Sequence, residues 1–130
     1  MIEDTTFIID LLAGDESALA RLDHIEAERR PEKVSATTVL ELYEGVRRSE
    51  KPDAEKRDVL SVLNSKHVVA ADHGLMRRAG TISGDLFAAG TPIDREDCVV
   101  GATALREGEP VVTRNVEHFE RIDGVEVWTY

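Results

Sequence analysis

Residues 91–115 read TPIDREDCVVGATALREGEPVVTRN, and the order of residue types in that stretch decides the fold. Asp94, Glu96 and Asp97 crowd what reads as the first turn of a helix, where the positive end of the helix dipole favours acids. Val99, Val100, Ala102 and Leu105 continue a helical apolar pattern as far as Gly108, which suits the end of a helix. Pro110 to Thr113 follows at once as a short apolar strand. A helix handed directly to a strand is the repeating unit of an α/β domain with a mainly parallel sheet.

Working outward, the same unit recurs. A short strand is expected over residues 1 to 4. A helix then starts near Thr5 or Thr6 with Phe7, Ile8, Leu11 and Leu12 at helical spacing, and Gly14 breaks it. Residues 16 to 30 read as a second helix that ends before Pro31. Val34 to Ala36 reads as the next strand, and Thr37 or Thr38 can cap a helix striped with Val39, Leu40, Leu42, Tyr43 and Val46. Residues 53 to 64 read as another helix and His67 to Ala70 as a strand. Asp72 can cap a helix through Leu75, Met76, Ala79, Ile82 and Leu86, although Gly80 and Gly84 weaken its continuity. Residues 116 to 120 read as one helical turn, and Val125 to Trp128 as a last strand at an edge of the sheet.

The chain of 130 residues fits one domain, spanning 1–130, with enough length for a core of its own. No run approaches the roughly eighteen consecutive apolar residues of a membrane span. The acid-containing opening MIEDTTFIIDLLAGD, interrupted by Asp10, argues against a secretory signal and points to the cytoplasm. One cysteine, Cys98, cannot form an internal disulfide, and its apolar surroundings predict a buried, inert thiol. Asp and Glu total 26 against 16 Lys and Arg, so the formal net charge of -10 opposes nucleic-acid binding. Bound divalent cations, or screening by salt, can overcome that opposition.

In an open parallel sheet, functional groups collect where strands end and the next helices begin. Asp4, Glu41, Asp97 and Asn115 occupy four such junctions. Each also has an ordinary use, because Asp, Asn and first-turn acids serve as helix caps in any protein. Glu41 and Asp97 stand apart from common surface acids. Glu44 has Arg47 and Arg48 at i+3 and i+4, whereas Glu41 overlooks Glu44 and Gly45, and Asp97 overlooks Val100 and Gly101. If these carboxylates converge, their repulsion calls for a cation, and oxygen donors scattered along a chain suit Mg2+ or Mn2+. Such an ion can activate a water for attack on a phosphodiester.

These residues resemble a known family, the PIN-domain proteins of the VapC toxin type. Asp4-Thr5-Thr6 matches the opening strand motif, and Glu41-Leu42-Tyr43-Glu44-Gly45-Val46 the helix of the second acid. Thr91-Pro92-Ile93-Asp94-Arg95-Glu96-Asp97, with its apolar small-residue helix, matches the third. Val112-Thr113-Arg114-Asn115 with His118-Phe119 matches the fourth. The resemblance covers nearly the whole chain. It implies a PIN-like three-layer α/β/α sandwich and a Mg2+- or Mn2+-dependent endoribonuclease, the toxin of a type II toxin–antitoxin pair. It also implies a homodimer that is inhibited by a cognate antitoxin covering the early helices. Asp4, Glu41 and Asp97 carry over as metal ligands.

One departure is visible. Many family members have a fourth Asp where this chain has Asn115, whose amide can ligate or orient a water but brings no charge. Asp94 can compensate or cap, Thr6 and Thr113 can position a ligand or water, and Arg114 and His118 can touch phosphate, although His118 also reads as an ordinary surface residue. No pair of histidines has metal-motif spacing, and there is no phosphate loop or nucleophile elbow. Aromatic residues are only 5%, so RNA recognition should lean on phosphate, metal and a few arginines. Two rivals remain: a non-catalytic PIN-like module that binds RNA or protein, and a phosphoacceptor domain using Asp4.

Overall fold

The apolar runs of the sequence pair side by side into one sheet in the computed structural model, which describes residues 1–130. The elements run β1 (Ile2–Glu3), α1 (Thr5–Leu12), α2 (Glu16–Ala27), β2 (Lys33–Ser35), α3 (Ala36–Arg48), α4 (Pro52–Asn64), β3 (His67–Val69), α5 (His73–Ala88), α6 (Arg95–Glu107), β4 (Val111–Val112), α7 (Val116–Glu120) and β5 (Val127–Trp128). The five strands lie in the order β3-β2-β1-β4-β5 and every pairing is parallel. Helices occupy both faces, giving the expected α/β/α sandwich, and the last strand does form an edge.

Side chains alternate between the two faces. Ile2 and Val111 pack with Val100, Ala104, Phe119 and Ile122 beneath α6 and α7. Met1 and Val112 pack with Phe7, Ala18 and Ile25 beneath α1 and α2. Two further clusters close the layers: Ile8, Val34, Leu42, Val46 and Val59 join α1, α3 and α4, and Leu75, Ala79, Cys98 and Val99 join α5 to α6. Cys98 is buried and free, as expected.

Several boundaries differ from the sequence reading for local reasons. Ser35 caps α3 in place of Thr37 or Thr38, because its hydroxyl accepts from Thr37 N at 3.4 Å. The second helix stops at Ala27, three residues short of expectation, and the chain turns through Arg29 at φ 54 before Pro31. Gly80 and Gly84 leave α5 unbroken. Asp72 caps it as expected, accepting from Leu75 N at 3.0 Å.

The central strand carries a charge into the interior. Glu3 is fully buried, and neither of its carboxylate oxygens accepts a well-directed hydrogen bond. Lys66 Nζ lies 2.7 Å from Glu3 Oε2 and 2.8 Å from Glu32 Oε1, so one ammonium ties β1 to the residues leading into β2 and β3. Burial pushes the Glu3 carboxyl up to about 7 against the pull of Lys66. Removing one partner of a buried pair strands the other charge, which typically costs about 3–5 kcal/mol. Lys66→Met is therefore expected to lower stability by that order in urea melts at pH 8. The double variant Glu3→Gln/Lys66→Met should recover part of the loss, and an unchanged midpoint in the single variant would contradict the pairing.

Candidate metal centre

The strand order reverses between β1 and β4, and in open α/β sheets the crevice at such a reversal is where ligands sit. Asp4 follows β1 there, and Thr113 follows β4. Thr113 Oγ1 donates to Asp4 Oδ2 at 2.7 Å and Thr6 Oγ1 donates to the same oxygen at 3.2 Å. Asp4 shares the sheet face of Ile2, which is the face covered by α6. From α6, Asp97 reaches the same crevice, where Asn115 Nδ2 donates to Asp97 Oδ2 at 3.1 Å while Asn115 N donates to Thr113 Oγ1 at 2.9 Å. Glu41 enters from α3 and accepts from Thr5 Oγ1 at 2.9 Å. Four junctions thus contribute to one region, as the spacing of the acids suggested.

Helix capping is separated from the other uses of these side chains by their hydrogen bonds. Asp15, Ser35 and Asp72 sit at N-cap positions and accept from backbone amides. Asp4, Asp94 and Asn115 also occupy N-cap positions, of α1, α6 and α7, yet none makes a side-chain capping bond. The capping role considered for Asp94 and Asn115 is therefore not taken up by either.

Electrostatics add to the picture. Burial raises the Asp4 carboxyl above its ordinary range, the charge of Asp97 raises it further, and the Thr113 hydroxyl partly opposes both. Burial also raises Glu41, with Asp4 and Asp97 adding to it and the Thr5 hydroxyl opposing. Asp97 is raised by burial, opposed by His118, and raised again by Asp94 and Glu96. No lysine or arginine forms an ion pair with Asp4, Glu41 or Asp97. Negative charge held together without a cationic side chain fits a divalent cation, and the carboxylate and amide oxygens suit a hard one.

Asp97 is nevertheless not wholly unpartnered, which corrects the sequence expectation. His118 Nδ1 lies 2.7 Å from Asp97 Oδ2, and the same nitrogen lies 2.8 Å from Asn115 Nδ2. One nitrogen cannot donate to the carboxylate and accept from the amide at once, so the protonated Nδ1 tautomer satisfies Asp97 and leaves the amide to Asp97 as well. The counter-group comes from α7, outside the i+3 and i+4 neighbours that sequence spacing can examine. Asp94, Asp97 and His118 also place potential ligand atoms within 4.8 Å of one another, a second grouping that shares Asp97. The first grouping is the better fit to Mg2+ or Mn2+, because His118 is already engaged with Asp97 and is the softer donor.

Arg114 is largely exposed at the mouth, with its Nη2 2.7 Å from Asp10 Oδ2. Thr5 was missed by the sequence analysis, which considered only Thr6. Its hydroxyl holds Glu41 and lies 3.1 Å from that of Thr38, a contact between α1 and α3 that no local pattern signals.

Comparison with known proteins bears on the family and the fold. The model of the PIN domain family matches residues 1–125. The tRNA(fMet)-specific endonuclease VapC of Salmonella typhimurium is 30% identical over 94 residues, covering 72% of this chain and 71% of that one. Two solved structures share the architecture. VapBC2 from Rickettsia felis, bound to a promoter DNA fragment, superposes with TM-score 0.89 at 19% identity, covering 99% of this chain and 97% of the other. DNA-bound VapBC from Salmonella typhimurium gives 0.87 at 26% identity, covering 98% and 96%. With the family model, the relative and the fold in agreement, the chain belongs to the PIN-domain family and is of the VapC type.

Proposed function

We propose that this chain is a divalent-metal-dependent endoribonuclease, the toxin of a type II toxin–antitoxin pair, with Asp4, Glu41 and Asp97 as the metal ligands. The observation that carries the proposal is the gathering of three carboxylates, without a lysine or arginine partner, at the reversal point of the sheet. A bound Mg2+ or Mn2+ supplies a charge that offsets these acids and an activated water for attack on RNA phosphodiesters.

The residues of the chain prepare that chemistry. Thr113 and Thr6 fix the Asp4 carboxylate, and Thr5 fixes Glu41. Asn115 and His118 both bond Oδ2 of Asp97, which fixes that carboxylate. Asp94 adds negative charge at the start of α6, and Arg114 offers a cation to phosphate. The VapC relative from Salmonella is named for its specificity toward tRNA(fMet), which makes a folded tRNA the first substrate to try.

A partner is proposed with it. A groove of ≈ 390 Å³ between α1, α3 and α4 has Ile9, Leu12, Leu42 and Val59 in its walls and Glu41, Glu55 and Asp58 beside them. An antitoxin segment with apolar residues and a cation suits that lining. The solved relatives are named as VapBC complexes, which supports the same pairing here. The apolar face of α5, where Met76 is 47% and Phe87 77% exposed, supports a homodimer. A second reading, a non-catalytic PIN-like module, is favoured only by Asn115 replacing a carboxylate, and tight binding of RNA or protein without turnover would establish it.

Incubating the purified chain with tRNA and Mn2+ or Mg2+ should yield cleavage that EDTA abolishes. Asp4→Asn and Asp97→Asn should each lower the rate by roughly a hundredfold or more, the scale of losing a group that acts on developing charge. Undiminished cleavage in EDTA or in both variants contradicts the metal mechanism.

Stability offers an independent check. Carboxyls raised in the folded chain make the native state bind more protons than the unfolded one, so their contribution declines as pH climbs from their ordinary values of 3.8 and 4.5. Mn2+ should consequently raise the melting temperature more at pH 8 than at pH 5, and Asp4→Asn should flatten both effects. Asn115→Asp adds a charge beside Asp97, so it should lower the metal-free melting temperature and enlarge the shift on adding Mn2+. Equal shifts for Asn115→Asp and wild type would show that position 115 stands outside the site.

A further inference from the structure

On one flank of the acids the chain gathers arginines and rings of which the function above uses only Arg114. Thr6, whose hydroxyl touches Asp4, also accepts from Arg114 N at 3.3 Å. One turn further along α1, Asp10 binds Arg114 Nη2 at 2.7 Å and accepts from the Tyr130 hydroxyl. Arg114 Cζ lies 5.8 Å from the centroid of the Tyr130 ring. Tyr130 borders a shallow hollow shared with Arg21 and His24. Beyond it, Arg21 Cζ lies 5.4 Å from the centroid of Trp128, and Arg30 Cζ lies 4.7 Å from it.

We propose that this surface, from Arg114 across Tyr130 to Arg21 and Trp128, is where a single strand of RNA lies as it enters the acid crevice. The inference rests on the ribonuclease reading and adds the place and the chemistry of substrate contact. Three observations lead to it. The surface is continuous with Asp4 through Thr6, so a strand on it arrives at the carboxylates without crossing the rest of an acidic molecule.

The charge is also in the right form. Arg21 has no carboxylate within ion-pair distance, and its Nε donates to the carbonyl oxygen of Thr129 at 3.0 Å, so its guanidinium is oriented but its charge is free. Arg114 keeps its side chain 61% exposed despite Asp10. In a chain of net charge -10, a free guanidinium held in place beside a ring is an unusual surface.

The third observation concerns stacking. The sequence holds one Trp and two Tyr, and Trp128 and Tyr130 are both on this flank. Rings and guanidinium planes accept bases of any identity, while the guanidinium edges take phosphate, which is the combination that single-stranded nucleic acid needs. A double helix keeps its bases stacked inside and offers these rings nothing.

Trp128 is the only tryptophan, so its emission reports on the surface directly. The full chain is titrated with a short fluorescent oligouridylate in EDTA at low salt, reading anisotropy and tryptophan emission together. The expected result is binding with a change in Trp128 emission, weakened about tenfold by Arg21→Ala, as for loss of one base platform. Arg114→Ala should weaken it similarly. Each variant should lower the slope of log affinity against log salt by about 0.7. Arg21→Lys, which keeps the charge without the plane, should fall between, and Arg77→Ala on α5 should match wild type. Thermal melts of each variant establish that it is folded.

Oligouridylate binding with unaltered Trp128 emission and wild-type affinity in folded Arg21→Ala overturns the track while leaving the ribonuclease reading standing. Intact metal-dependent cleavage by a chain that shows no oligouridylate binding does the same. Absence of both binding and cleavage removes the reading on which the track rests.

Discussion

Two carboxylates sit next to each other where the central strand ends, and the difference between them organises the molecule. Glu3 points to one face of the sheet and Asp4 to the other, as strand alternation requires. Glu3 meets Lys66, so its charge is closed within the fold. Asp4 is nearly as deep and meets hydroxyls but no cationic side chain, so its charge is left unpaired within the fold. An isolated buried charge is too costly for a fold to keep without compensation. The compensation for Glu3 is an internal cation, and in the reading proposed here the compensation for Asp4 comes from outside the chain.

The position of Asp4 follows from the topology. Chains that wind from a central strand first to one side and then to the other leave a gap where the direction changes, and here that gap opens between β1 and β4. The strands flanking it are only two residues long, so Asp4 and Thr113 follow at once and meet at hydrogen-bond distance. The helices after those strands begin without using their cap side chains. Leaving an N-cap side chain unused typically forgoes about 1 kcal/mol per helix. That sacrifice at Asp4, Asp94 and Asn115, against normal capping by Asp15, Ser35 and Asp72, separates side chains that hold helices from those that face the crevice.

The elements were legible in the sequence because each carries its own period and its own stop. The stretch from Asp94 to Thr113 gave the helix, its end and the next strand with little ambiguity, and Gly108 does adopt φ 64 at the helix end. Boundaries drifted where two small polar residues competed, as Ser35 did with Thr37 and Thr38. Asp4 stood out by its place at the end of the first strand, and Glu41 and Asp97 because neither had a counter-charge on its own helix. What escaped was every contact made across elements. Thr5 reaches Glu41 over 36 positions, and His118 reaches Asp97 over 21. The ring and arginine surface around Trp128 is assembled from both ends of the chain. No helical or strand period links such positions, and only the folded chain puts them together.

Asn115 is the residue where chemistry and sequence pattern pull apart. A fourth carboxylate at that point would have faced Asp97 directly, and two like charges at contact distance raise each other's pKa unless a cation lies between them. The amide instead donates to Asp97 and shares its Oδ2 with His118, so Asp97 gains a hydrogen-bond donor where a fourth charge would have stood. The crevice thereby keeps three negative groups in place of four, a count that one divalent cation comes closer to neutralising than it would the larger set. In the reading proposed here, Asn115 leaves the three carboxylate donors of one ion intact.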